Sequence, residues 1–507
     1  MNSHVVDHNQ RGAAAQPLST TAEQIVRLFA VDDICELSHT FDIDIQGARP
    51  VNGDAMRAQD SQDLKPNGPV PKRLFAAAMA GTTLEWYDFF IFGTMAALVL
   101  DQLFFPELDP TVGKIAAFAT FAAGFVARPL GGIVFGHIGD RFGRKRAMVA
   151  SMTMMGVATA LMGLLPTYAA IGIAAPILLT VLRFFQGLAL GGEWGSAAAL
   201  LVEHAPAGRR GFYGGWVQLG GLIGPLLSTV TVLALSAGLS TEQFYDWGWR
   251  IPFLISTVLV VVGLYVRKSL PETPEFEHMR AADERARFPL WQALREHPKN
   301  IALVFFMHLA STTIAFIGAV FILSYATGTV NFSRTTVLLM VALVTLVKIV
   351  PAMMLTQLSD RFGRRPVFLT GTIGLAVIAF PYFWLIETGN TALLALGLLL
   401  GGAANTIMYM TEGAFFIELF PVEGRASGAS LGVQSATVIG GGTAPLIATA
   451  LLSWSGGASW SISLYLMLVG AIASIAVLLA PETGGRRKDA QPGSGAPAEP
   501  ARPSITA

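Results

Sequence analysis

Apolar runs of roughly twenty residues or more recur along most of the chain, the length a helix needs to cross the ~30 Å hydrocarbon core of a bilayer. Polar, glycine and proline breaks divide them into predicted helices over 74–100, 112–137, 147–166, 171–202, 211–238, 249–268, 299–326, 335–357, 367–386, 391–420, 426–453 and 459–480. Residues 1–73 are different: TAEQIVRLFAVDDICEL can form a short amphipathic helix, and NGDAMRAQDSQDLKPNGPVPKR reads as a linker. A disordered cytoplasmic extension is expected there, with Met56 as an alternative start and a regulatory role as the competing reading. The organisation this predicts is an extension at 1–73, a six-helix bundle at 74–268, a cytoplasmic linker at 269–298, a second bundle at 299–480 and a disordered tail at 481–507. Within the linker, ERARFPLWQALREHP fits an amphipathic interfacial helix.

Composition agrees with a membrane-embedded chain. It is 53% hydrophobic, only 13% charged, and has a mean hydropathy of +0.55. Lys and Arg favour the cytoplasmic side of short loops. They occupy alternate loops: Arg141, Arg144, Lys145 and Arg146; Arg209 and Arg210; Arg267 through Lys299; Arg361, Arg364 and Arg365; Arg425. The opposite loops, DQLFFPELDPTVG, PTYAA, SAGLSTEQFYDWGW, GTVNFS, ETGN and SWSGGAS, carry neither residue. An even helix count then puts both termini in the cytoplasm of an inner-membrane protein. The formal net charge is zero, which gives nucleic acid no electrostatic footprint. Cys35 is the single cysteine, so no intramolecular disulfide framework or CxxC metal site is available. No signal-peptide pattern, nucleotide fingerprint, zinc spacing or nucleophile elbow is present, so neither an enzyme nor a bound cofactor or metal is expected.

The chain repeats itself. GHIGDRFGRKRAM, from Gly136, returns as TQLSDRFGRRPVF 220 residues later, so Asp140, Arg141 and Arg144 recur as Asp360, Arg361 and Arg364. VEHAPAGRRG returns as IELFPVEGRASG at an offset of 215, pairing Glu203 with Glu418, and PETP at Pro271 returns as PETG at Pro481. Three landmarks in one order indicate a duplicated architecture with alternating access around a midplane site.

Ions inside the predicted spans are the candidate chemistry, because a charge at the centre of a membrane helix costs at least ~2.5 kcal/mol on insertion scales and marks a pathway, proton relay or partner. Glu85 and Asp88 lie three residues apart on one helical face of TTLEWYDFFIFGTMAALVL. At ~1.5 Å per residue, Glu85 falls about 16 Å, Asp88 about 21 Å, Arg128 about 13 Å and Arg183 about 25 Å from the cytoplasmic end, depths that allow Glu85–Arg128 and Asp88–Arg183 pairs. Arg128 returns at the repeat offset as Lys348 and Asp88 as His308, with Glu412 opposite Lys348 in depth. Glu85, Asp88, His308 and Glu412 are therefore the candidate proton carriers. Substrate candidates are Arg128, Arg183 and Lys348, the buried amides Gln186 and Gln218, Glu193 and Tyr87, with Trp86, Trp194, Tyr409 and Gln434 as further cavity residues. The competing reading makes these permanently paired ions and packing aromatics. Asp140, Arg141, Arg144, Asp360, Arg361 and Arg364 are candidates for a gating latch, and Glu203 and Glu418, beside Arg210 and Arg425, for an interfacial gate.

These motifs carry a family resemblance. GHIGDRFGRKR resembles the signature of the major facilitator superfamily between its second and third helices, and RFFQG its fourth-helix Arg-x-x-Gln-Gly motif. LEWYDFFIFG, ARPLGGIVFGHIGDRFGRK, GGEWGSAAALLVEHAPAGRRGFYGGWVQLG and WGWRIPFL resemble the metabolite–proton symporter family within it, especially shikimate-transporter-like members, over residues 74–484. GGLIGPLL only partly resembles the antiporter signature and lacks its trailing glycines. The resemblance implies an all-α protein of twelve transmembrane helices in two pseudo-symmetric bundles, a monomer importing a small organic acid with protons. Proton-coupled import of proline or betaine, proton-coupled drug or metabolite export, and a non-transporting membrane sensor are the alternatives.

Overall fold

The computed structural model describes residues 72–142, 144–191, 201–202, 205, 208–268, 294–421 and 425–484, without the side chains at 72–78, 136–137, 139–145, 147–148, 259, 262–268 and 425–426. Most of the expected extension, linker and tail, together with Glu193, Trp194 and Glu203, lies outside this set, as do the side chains of Asp140, Arg141 and Arg144.

Long helices follow the apolar runs. They are α1 (Lys72–Leu98), α2 (Pro110–Phe142), α3 (Arg144–Leu164), α4 (Ala174–Ala189), α5 (Arg210–Gly238) and α6 (Ile251–Lys268) in the first half. The second half has α7 (Pro298–Phe316, continued by Ile317–Phe321 and Ile322–Gly328), α8 (Arg334–Phe362), α9 (Arg364–Glu387) and α10 (Thr391–Glu418). Then come α11 (Arg425–Ala436, Thr437–Gly442 and Ala444–Trp454) and α12 (Trp460–Leu479). The spans Ile317–Phe321 and Thr437–Gly442 are π-helical. Among the described residues, eight helices are long and apolar enough to cross a membrane by length and composition.

The polar residues that break the apolar runs also start the next helix. Asp109 accepts the Thr111 N–H at 2.9 Å, Ser333 the Thr336 N–H at 3.0 Å, and Asn390 the Ala392 N–H at 2.8 Å. Each satisfies a backbone donor that a helix start leaves without an intrahelical acceptor, which is why these side chains serve as helix caps.

Packing repeats with the sequence. In the first half α1 packs on α5 and α6, α2 on α4, and α3 on α4 and α6; in the second, α7 packs on α11 and α12, α8 on α10, and α9 on α10 and α12. The halves meet along two seams that this repeat relates, α5 against α8 and α11 against α2, with α5 also against α10. Small residues set the helix separations, since membrane helices associate through close backbone approach. A Cβ on Gly187 would lie 1.8 Å from the Gly124 carbonyl oxygen, so α4 and α2 touch backbone to backbone at that crossing. Between the halves, a Cβ on Gly221 would lie 1.9 Å from the Tyr409 hydroxyl.

Candidate functional site

Between the halves lies an aromatic cluster centred on Phe316 of α7. It stacks on Phe90 at 5.0 Å between centroids, meets Phe125 edge-on at 5.2 Å, and approaches Phe121 at 5.8 Å and Trp86 at 6.1 Å. Two arginines border it. The Arg183 guanidinium lies over Phe89 at 3.8 Å and Phe92 at 4.5 Å, and the Arg128 guanidinium over Phe89 at 5.1 Å and Trp86 at 6.0 Å. Ring quadrupoles attract cations placed over their faces, which offsets part of the cost of holding two guanidiniums out of water. Glu85 and Tyr409 are within electrostatic reach of Arg128, so groups from both halves bear on that charge. Arg128 Nε and Arg183 Nη2 are buried and make no hydrogen bond among the described residues.

Asp88 is 1% exposed and sits inside the first bundle. Its two oxygens accept hydrogen bonds from the Ser256 hydroxyl of α6 and, at 3.3 Å, the Thr159 hydroxyl of α3. Thr159 in turn accepts from Gln186 Nε2 at 2.7 Å, and the Gln186 carbonyl accepts from Arg183 Nη1. The direct Asp88–Arg183 pair that depth counting allows is thus replaced by a chain, Ser256–Asp88–Thr159–Gln186–Arg183. The reason is azimuthal: Asp88 points to α3 and α6, whereas Arg183 points to the aromatic faces. Tyr87 also turns into the bundle, its hydroxyl 3.5 Å from Thr231 and from the Pro252 carbonyl.

In the second half the expected partner of Glu412, Lys348, is not its partner. Glu412 Oε2 lies 3.0 Å from His308 Nδ1, and His308 Nε2 lies 3.0 Å from the Thr437 hydroxyl. Lys348 instead runs along α10, with its chain against Gly402, and makes no ion pair or hydrogen bond among the described residues. Gln218 of α5 donates to the Tyr409 carbonyl of α10 at 2.8 Å, crossing between the halves. His308, repeat-mate of Asp88, and Glu412 are therefore brought together, while Lys348 and Glu412 are not.

The latch candidates assemble where the DRFGR repeat ends α8. Asp360 accepts the Gly211 N–H at 2.8 Å and the Phe212 N–H at 3.0 Å, capping the start of α5 in the other half. Arg364 pairs with Asp360 at 2.6 Å and with Glu418 at 3.2 Å, so Glu418 joins this cluster; the side chain of Arg425, its expected neighbour, lies outside the described residues. Glu418 also accepts from Thr483 at 2.7 Å, and Glu482 accepts the Arg364 N–H at 2.8 Å, which draws the PETG segment into the same cluster. Arg361 is exposed beside Phe362. At the opposite end, Arg334, the first residue of α8, donates to the Tyr245 hydroxyl at 3.0 Å and lies 4.6 Å over Phe244, both in the short helix Thr241–Asp246 that follows α5.

Sequence reasoning missed Thr159, Ser256, Thr437, Tyr245 and Arg334. Hydroxyls within apolar runs carry no signal of their own. Arg334 carried one: a cation bordering an end of the molecule whose loops otherwise lack Lys and Arg.

Comparison with known proteins agrees with this architecture. Residues 74–308 match the family described as "Sugar (and other) transporter", and residues 301–506 match "Major Facilitator Superfamily". The Escherichia coli (strain K12) "Shikimate transporter" is 42% identical over 412 residues, covering 80% of this chain and 94% of that one. The "Inner membrane metabolite transport protein YhjE" of the same strain is 42% identical over 418 residues, covering 81% and 94%. Its "Proline/betaine transporter" is 32% identical over 432 residues, covering 83% and 85%. In fold, the chain is similar to the E. coli xylose transporter XylE in a partially occluded inward-open conformation, with a TM-score of 0.64 at 20% identity, covering 82% of this chain and 98% of that one. Twelve helices in two repeat-related sets, an ion-bearing centre and relatives of this likeness lead to one conclusion: the chain is a membrane transporter, not an enzyme, and belongs to the major facilitator superfamily.

Proposed function

We propose that this transporter imports a small organic anion together with protons by alternating access, with the DRFGR end and both termini in the cytoplasm. The supporting observation is that Arg128 lies at the aromatic centre between the halves while buried Asp88 connects to the second arginine, Arg183, through Thr159 and Gln186. Two cations and two carboxylates, Glu85 and Asp88, then form a locally balanced set. A substrate carboxylate engaging Arg128 adds a negative charge that this low-dielectric centre tolerates poorly. A proton taken up by Asp88 restores the balance, so anion and proton travel together. His308 and Glu412 form a second proton-carrying pair in the other half, and Asp360, Arg364 and Glu418 form the cytoplasmic latch. The identity shared with the shikimate transporter favours a hydroxylated carboxylate as the solute.

Proline or betaine import is the second reading, favoured by the proline/betaine transporters among the relatives and by aromatic faces that suit a quaternary ammonium. Arg128 and Arg183 already occupy such faces and would repel that cation, which favours the anion. The test is uptake by proteoliposomes of shikimate, small carboxylates, proline and betaine, with and without an inward proton gradient. Gradient-dependent accumulation of a carboxylate is the expected result. Accumulation of betaine or proline alone would replace the anion reading with osmolyte import, expulsion from the lumen would replace import with antiport, and silence with every solute would refute the proposed substrate class.

A further inference from the structure

The pair His308–Glu412 is held by a third residue whose hydrogen-bond directions define how many protons it carries. The Thr437 hydroxyl has one proton and two neighbouring acceptors. It lies 2.7 Å from the Val433 carbonyl oxygen of the preceding turn and 3.0 Å from His308 Nε2. With its proton on Val433, the shorter contact, the hydroxyl can only accept from the ring, so Nε2 carries hydrogen. The Nδ1–Glu412 contact then has to contain a proton as well, because a bare Nδ1 and an ionised carboxylate 3.0 Å apart would set lone pair against lone pair. That proton belongs to an imidazolium facing a carboxylate or to a carboxylic acid facing a neutral ring. In both arrangements the pair is electrically neutral and loaded.

We propose that Thr437 is the positioning residue of a proton site in the second half, its hydroxyl turning between two acceptors as the site loads and empties. When the proton leaves the pair, Glu412 becomes a carboxylate, the remaining ring hydrogen moves to Nδ1 to face it, and Nε2 becomes an acceptor. The Thr437 hydroxyl rotates from Val433 to donate to Nε2. No hydrogen bond of the ring is lost, Thr437 keeps its own proton, and one proton has been released.

Three features of the surroundings suit this device. Glu412 is 0% exposed and its Oε1 makes no hydrogen bond among the described residues, so little besides His308 steadies its charge. Tyr409, one turn earlier on α10, is a further ionisable side chain in electrostatic reach of Glu412, and the Phe416 ring meets His308 edge-on at 6.1 Å. Thr437 is also the first residue of the π-helical Thr437–Gly442 segment, which carries Gly441 and Gly442 against Phe125 of the first half. Rotation of the hydroxyl releases the Val433 carbonyl in the turn preceding that segment, which connects the protonation state to the α11–α2 seam.

This inference rests on the reading of His308 and Glu412 as proton carriers, and two measurements separate its failure from the failure of that reading. The first is nitrogen NMR of the full-length transporter labelled with 15N-histidine in lipid nanodiscs, His308 being assigned by difference with His308→Asn. A protonated Nε2 at low pH, converting to a pyridine-like Nε2 at high pH, is expected in the native protein and in Thr437→Ser. Thr437→Val, which keeps the β-branched shape and removes the hydroxyl that accepts from Nε2, is expected to lose the protonated Nε2 at a lower pH than the native protein, with the pH profile of proton-driven uptake displaced the same way. A pyridine-like Nε2 throughout the native titration, or a Thr437→Val protein with native nitrogen shifts and a native uptake profile, would overturn the proposal. The second measurement is proton-driven uptake by His308→Gln and Glu412→Gln. Full accumulation by both would remove the pair from the proton path, and with it the proposed role of Thr437 in transport.

Discussion

Replacement of Asp360 by Asn tests the latch most directly. The carboxylate caps the first turn of α5 through the Gly211 and Phe212 N–H groups at 2.8 and 3.0 Å and pairs with Arg364 at 2.6 Å. Asparagine is isosteric and keeps one accepting oxygen, but its amide nitrogen must oppose one of the two backbone donors. A hydrogen bond to a charged group contributes about 1.5–3 kcal/mol, and a negative charge at a helix N-terminus about 0.3–1 kcal/mol. Arg364 retains Glu418 at 3.2 Å, so its own charge is not stranded. The conformation that makes this contact should therefore lose about 2–3 kcal/mol relative to one in which α5 and α8 separate, roughly a 30- to 150-fold change in their ratio. The assay is electron–electron distance measurement between spin labels on cysteines at the exposed positions Arg209 and Arg361, in a Cys35→Ser background. The substitution is expected to move population from the short distance to a longer one without changing solute preference. An unaltered distance distribution would refute the latch, and a changed preference would relocate Asp360 to the binding site.

Three other outcomes are expected. Asp88→Asn keeps groups able to bond Ser256 and Thr159 but cannot take up a proton, so proteoliposomes should lose gradient-driven accumulation while retaining membrane insertion and solute counterflow; near-native accumulation would remove Asp88 from the coupling path. Arg334→Met removes the hydrogen bond to Tyr245 and the cation over Phe244, together about 1–2 kcal/mol, and should lengthen a spin-label distance between exposed positions Glu242 and Asn331. Gly187→Ala places a methyl 1.8 Å from the Gly124 carbonyl, so α2 and α4 must separate, and thermal unfolding should fall by the equivalent of about 1–3 kcal/mol or more; an unchanged melting temperature would contradict the described crossing.

Helix number, the internal duplication and the presence of ions in the spans were legible because each depends on residues near one another in sequence. An apolar run must be helical in a bilayer, since every backbone donor and acceptor has to be satisfied within the segment. A capping Asp109, Ser333 or Asn390 acts within three residues of itself, and the DRFGR repeat is visible without any coordinates. The identity of each ion's partner had a different basis. Counting residues fixes depth to within about one turn, ~5.4 Å, and leaves the direction around the helix axis open, whereas a hydrogen bond requires ~3 Å and alignment. Depth alone therefore paired Asp88 with Arg183 and Glu412 with Lys348. Only the packing of α3, α4 and α6 around α1 interposed Thr159 and Gln186, and only the approach of α7, α10 and α11 joined His308 to Glu412 and Thr437. The sequence by itself determined that charges lie within the membrane-spanning helices; the tertiary structure decided which groups share them, because those partners come from helices whose contact no local pattern encodes.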